Sequence, residues 1–170
     1  RWIDFAQNQG KSTGGFCASP YQIHSYILLS WTGILSEEFT LAHELGHAGH
    51  FQLAGRNQNY FSVEPSSYFI EAPSTCNELF LTDYLMEKED SLRNKCYVIA
   101  SILGNTYYHN FVTHFLEAYF QKRVYDKVDA GEALTTDELH KIKREVLKEF
   151  WGDSVIIDEK AGYTWMRQPH

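Results

Sequence analysis

His43, Glu44 and His47 stand in the string His-Glu-Leu-Gly-His, where residue type and spacing constrain each other. On a helix the two histidines lie one turn apart on the same face, so their imidazole nitrogens converge on one zinc ion. Glu44, next to the first histidine, is placed to take a proton from a water at that ion. This is the outline of a metal-assisted peptide hydrolase. The competing reading is a solvated helix that is merely rich in histidine. A third ligand decides between them, because a catalytic zinc takes three protein ligands and keeps one position open.

A histidine six residues past His47 would complete one known ligand set, but Leu53 stands there. His50 follows His47 on the same helix and would strain tetrahedral geometry, so it reads as a packing or supporting histidine. A carboxylate from a second helix remains. Glu64, Glu71 and Glu78 follow His47 by 17, 24 and 31 residues. Glu64 precedes Pro65 and is biased toward extended backbone. Glu71 falls about two turns into a helix that Pro65 and Ser66 would begin, and is the expected ligand. Glu78, on the same face seven residues later, suits a supporting carboxylate.

These side chains need elements to hold them. Ser36 reads as an N-cap, with Glu37 and Glu38 complementing the helix dipole behind it, and Gly55 and Asn57 read as the stop signal. The expected motif helix spans about 37–54. Gly46 and Gly49 cost such a helix ~1 kcal/mol each relative to Ala, which implies a strand or ligand crossing close by. Residues 14–18 and 24–32 have strand character, and helices are expected at 66–89, over a long stretch 92–127 interrupted near Gly104 and Asn105, and from a capping box at Thr135 and Glu138 to about Phe150. The expected fold is mainly helical, a zincin-like catalytic core with a small sheet beside the zinc helix. By length, residues 1–170 make one domain.

The strings F-T-L-A-H-E-L-G-H-A-G-H (39–50) and F-I-E-A-P-S-T-C-N-E (69–78) resemble oligoendopeptidase F, of the thimet-oligopeptidase family of zinc metallopeptidases. W-I-D-F (2–5), G-K-S-T-G-G-F (10–16), Y-I-L-L-S-W-T-G (26–33) and G-E-A-L-T (131–135) extend the resemblance over nearly the whole chain. It implies His43, His47 and Glu71 as ligands of one Zn2+ and Glu44 as general base, the set that spacing alone selects. It also implies that this chain is a catalytic-core fragment of a peptidase several times longer. The tyrosine-rich stretch expected just beyond W-M-R-Q-P-H (165–170) is missing, and His170 matches the histidine that opens it. In the family an extended substrate pairs with an edge strand beside the metal. Ile23 to Trp31 is the candidate segment here, with His24 as a contact; the competing reading is an ordinary buried strand.

Composition narrows the class further. The formal net charge of −7 leaves no basic stripe to neutralise phosphates, which argues against nucleic acid. No apolar run approaches the ~20 residues that span a membrane, and no signal peptide is recognised, so a cytoplasmic location is expected. Cys17, Cys76 and Cys96 are odd in number and without paired spacing, which favours reduced thiols, with Cys76 read as a core residue. The expected partners are oligopeptide substrates, cleaved at internal bonds. The rival readings are a related dipeptidyl carboxypeptidase and a non-catalytic, zinc-stabilised peptide-binding module.

Overall fold

Along Tyr26–Leu29, Ile27 and Leu29 are buried while Tyr26 and Leu28 are exposed, the alternation of a sheet covered on one face. In the computed structural model, which describes residues 2–167, three short strands form this sheet: β1 (Ile3–Asp4), β2 (Gly15–Ala18) and β3 (Tyr26–Leu29). Their order is β1-β3-β2, with Ile3 parallel and in register with Ile27, and Gly15 antiparallel to Leu29. β3 is therefore the central strand, bonded on both sides. This corrects the reading of Ile23–Trp31 as an open edge. β1 is contributed by residues far back in the chain, a pairing that no local pattern announces. β2 is an outer strand, and its Gly15 passes over the motif helix: an ideal Cβ there would lie 2.7 Å from Thr40 and 2.8 Å from the Glu44 carboxylate.

The motif helix, α1, spans Leu35–Asn57 and starts before Ser36. Ser36 is not its cap. Instead the Glu37 carboxylate reaches back to accept the main-chain N–H groups of Thr32 (2.6 Å), Gly33 (2.7 Å) and Ile34 (3.3 Å), and the Thr32 hydroxyl. A charged acceptor serving several orphan donors outcompetes a single hydroxyl. Ala48 on α1 packs with Ile27 and Leu29, and Ile3, Cys17, Trp31 and Leu41 close that core.

The second helix, α2, runs Glu71–Lys88, shorter at its start than the expected 66–89. Residues 67–70 form a turn closed by Ile70 N–H to the Ser66 carbonyl, 3.0 Å. Pro73 explains the shift, since it lacks an N–H and is tolerated in a first helical turn but not in an interior. Glu71 is thus the first helical residue rather than two turns in. The helices α1 and α2 meet at Gly46, where a Cβ would lie 2.5 Å from Ser74 Cα and 2.6 Å from the Pro73 carbonyl oxygen. The element requiring this glycine is a helix, not the strand or ligand expected, and Gly49 faces open space. Cys76, expected in the core, is exposed on α2, as is Cys96 on α3 (Leu92–Ile102).

Helix α3 ends in π-helical turns at Leu103–Tyr107 and His109–Thr113, which interrupt the long helical stretch where Gly104 and Asn105 were expected to. The chain divides into two compact units, Arg1–Thr106 and Tyr107–His170. In the second, α4 (His114–Asp129) and α5 (Thr136–Trp151) pack through Leu116, Ile142 and Val146. Lys143 is wholly buried there and pairs with Glu117. The capping box forms as expected: Thr135 Oγ1 accepts from Glu138 N–H (3.3 Å), and Glu138 accepts from Thr135 N–H (2.9 Å). A 3-10 segment, Glu159–Arg167, lies along α5, with Trp165 Nε1 donating to His140 Nδ1 at 2.9 Å. The architecture is mainly helical with a small sheet beside the motif helix. Among the described residues, no helix is long and apolar enough to cross a membrane.

Candidate metal centre

His43 and His47 occupy successive turns of α1, and their Nε2 atoms lie 3.1 Å apart. From the first turn of α2, Glu71 Oε2 stands 3.1 Å from His43 Nε2 and 3.3 Å from His47 Nε2. Among the described residues, this is the one group of three or more His, Cys, Asp or Glu side chains that could hold a metal ion. The distances test the fit. Four ligands placed tetrahedrally ~2.05 Å from a zinc are separated by about 3.3 Å, close to all three observed edges. Two imidazole nitrogens and one carboxylate oxygen are a donor set suited to zinc.

The backbone reasons are visible. One helical turn separates the histidines, while the glycine at position 46 lets α2 approach until Glu71 reaches both rings. Asn77 Nδ2 ties the crossing by donating to the Ala42 carbonyl at 3.1 Å. Ser74 holds the Glu71 carboxylate at 3.0 Å and also caps its carbonyl at 2.8 Å. Sequence reasoning did not single out Ser74. Its position three residues after Glu71, on the same helical face, was the available signal.

Glu78, expected as a supporting carboxylate, accepts from His43 Nδ1 at 2.7 Å. That bond turns His43 so that Nε2 faces the other two donors, the arrangement that metal-ligating histidines use. His47 is stacked on Phe51, ring centroids 5.8 Å apart. His50 lies outside the three-donor group, its ring against Phe51 and Phe69. His24 is exposed two residues before the central strand, its Nδ1 3.0 Å from the Ser25 carbonyl and its ring against Tyr26. His170 falls outside the described residues.

Glu44 is 7% exposed, packed against Gly15 of β2. Burial pushes its carboxyl up, His43 opposes this, and the negative charge of Glu71 adds to it, leaving Glu44 above the usual carboxylate range. A carboxylate raised in this way is a stronger proton acceptor. Burial pushes His43 down, but its hydrogen bond and charge interaction with Glu78, with Glu71 and Glu44 behind, outweigh it and hold the ring above its ordinary value. Burial also pushes His47 down, Glu71 opposes this, and His43 and His50 reinforce it, leaving the ring below its ordinary value. Cys17, on β2, is kept protonated by burial and by the charge of Glu44, which suits neither a nucleophile nor a ligand.

Residues 1–167 match the model of Peptidase family M3. The chain is 30% identical over 170 residues to Oligopeptidase PepF of Bacillus subtilis, covering all of this chain and 25% of that protein. It is 28% identical over 170 residues to the chromosomal Oligoendopeptidase F of Lactococcus lactis subsp. cremoris, covering 28% of that protein. A crystal structure from Chlamydophila abortus, described as that of a candidate peptidase, superposes with a TM-score of 0.78 at 27% identity, over 99% of this chain and 28% of that one. The chain therefore spans about a quarter of the length of the curated relatives it matches.

Proposed function

We propose, from the membership of this chain in Peptidase family M3, that it carries the catalytic centre of a zinc-dependent endopeptidase acting on internal bonds of short oligopeptides. The observation that carries this reading is the convergence of His43 Nε2, His47 Nε2 and Glu71 Oε2 to mutual distances of 3.1–3.3 Å, with Glu44 beside them. Zinc held by these three would supply Lewis acidity, lowering the pKa of a water toward ~7 and polarising the scissile carbonyl.

The chain's own residues supply the rest. Glu44 takes the proton of the attacking water and passes it to the departing amine. Its raised pKa suits a group that must first accept and then release a proton. Glu78 fixes the tautomer and tilt of His43, and Ser74 fixes the carboxylate of Glu71. β2, an outer strand of the sheet, passes over Glu44 at Gly15, and its open edge supports main-chain pairing with an extended peptide. Such pairing orients the scissile bond with little side-chain discrimination. A buried carboxylate beside the ligands also argues against a purely structural zinc module, which has no use for a base.

The test is hydrolysis of a defined oligopeptide by the parent and by Glu44→Gln, with zinc content measured in both. The expected result is internal cleavage by the parent and its loss in the variant, with the metal retained. Undiminished hydrolysis by the variant would remove Glu44 as the base, and successive release of C-terminal dipeptides would replace the endopeptidase by a carboxypeptidase.

A further inference from the structure

The carboxylate of Glu78 has two oxygens, and only Oε1 is used by His43. The other, Oε2, accepts a short hydrogen bond from the hydroxyl of Thr106. Both residues are 7% exposed, and each Glu78 oxygen has a protein partner. Thr106 comes from the first π-helical turn after α3, twenty-eight residues beyond Glu78. In a regular helix a threonine hydroxyl commonly bonds the carbonyl three or four residues back. Here it is turned outward to another helix, in a π segment of the kind that recurs at functional sites.

We infer that Thr106 is a positioning residue for the metal centre, acting through Glu78 on His43; this rests on the zinc-site reading above. The chain of donors has a fixed direction. The hydroxyl of Thr106 donates and the Glu78 carboxylate oxygen accepts. With Oε2 engaged, Oε1 is held toward His43 and keeps the proton on Nδ1. The lone pair of Nε2 is then free to face His47 and Glu71. Without Thr106 a buried carboxylate oxygen loses its partner, and Glu78 is free to rotate. That rotation loosens the ring that it supports.

The experiment is competition for zinc between the chain and a chromophoric chelator, for the parent, Thr106→Val, Thr106→Ser, Glu78→Gln and the double variant Glu78→Gln with Thr106→Val. Far-UV circular dichroism verifies folding of each. Partners of ligating histidines are worth about 10 to 100-fold in metal affinity, so Thr106→Val should weaken zinc on the order of tenfold, and Thr106→Ser should restore most of the loss. Thr106→Ala carries the same expectation as Val without pressing a methyl against Glu78, and serves if the Val variant folds poorly. In the Glu78→Gln background, removing the Thr106 hydroxyl should cost little more, because the path is already cut. Parent-like affinity in both Thr106→Val and Thr106→Ala would overturn the inference. So would a serine variant as weak as valine, or a loss that persists in full when Glu78 is already changed. A parent that binds no zinc at all would overturn the metal-site reading itself, and this inference with it.

Discussion

Residues up to Thr106 bury Ser25, Glu44, His47, Ser74, Glu78 and Thr106 beside their apolar core. In the second unit Lys143 is the sole buried polar or charged side chain among the described residues, and its partner Glu117 is at hand. The helical pair α4 and α5 is held by volume, with Leu116, Ile142 and Val146 filling the space between two helices. The unit with the candidate metal centre adds to its apolar core a set of buried polar pairings, among them Glu78 with His43 and Thr106, and Ser74 with Glu71. Apolar packing tolerates imprecision and loses stability in proportion to what is removed. A buried polar network keeps its geometry only while every member is satisfied. The two units should therefore fail differently when altered.

The largest stability effect belongs to the second unit. Ile142→Ala, at a buried position between α4 and α5, should cost about 2–5 kcal/mol, read as a lowered denaturant midpoint, while zinc affinity of the folded molecules stays at the parent value. Gly46→Ala reverses that balance. Its added methyl meets Ser74 Cα at 2.5 Å, a backbone contact that cannot yield locally. Overpacking of this kind typically costs about 1–3 kcal/mol. The diagnostic readout is zinc affinity, expected to fall because the crossing of α1 and α2 carries Glu71. Parent-like zinc binding in Gly46→Ala would blur the contrast between the units.

A smaller effect appears in the pH dependence of stability. Slight burial pushes the Glu37 carboxyl up, but hydrogen bonds from Thr32, Gly33 and Ile34 outweigh it and hold the group below the usual carboxylate range. A depressed folded-state pKa means a contribution fully present above the ordinary value of about 4.3 and lost as pH falls through the folded-state value. Glu37→Gln should thus lower the unfolding midpoint near neutrality, and the gap between variant and parent should close as the medium is acidified. A gap constant down to low pH would remove the Glu37 carboxylate as the cap of α1.

How far the sequence foretold this structure depended on how local each feature is. The His43–His47 spacing and the Thr135–Glu138 box are complete within one or two turns, and both form as read. Elimination points to Glu71, since few carboxylates follow at a workable distance, and Glu71 does lie beside both histidines. Its helical setting was misplaced because Pro65 looked like the start of the helix while Pro73 governs it. Ser36 has cap chemistry, but whether Glu37 folds back onto residues 32–34 depends on the turn before it. The edge position of Ile23–Trp31 failed for a non-local reason, the parallel pairing of Ile3 with Ile27. Ser74 carries a signal only in its position three residues after Glu71, while Thr106 has none, because its role exists only once Glu78 of another helix is in place.

The central claim, that α1 and α2 together form a three-ligand zinc site, is tested most directly by elemental analysis of the purified chain beside Glu71→Ala. One zinc per parent chain, lost or greatly weakened in the variant, is the predicted result. Equal zinc in both, or none in a folded parent under non-chelating conditions, would contradict it.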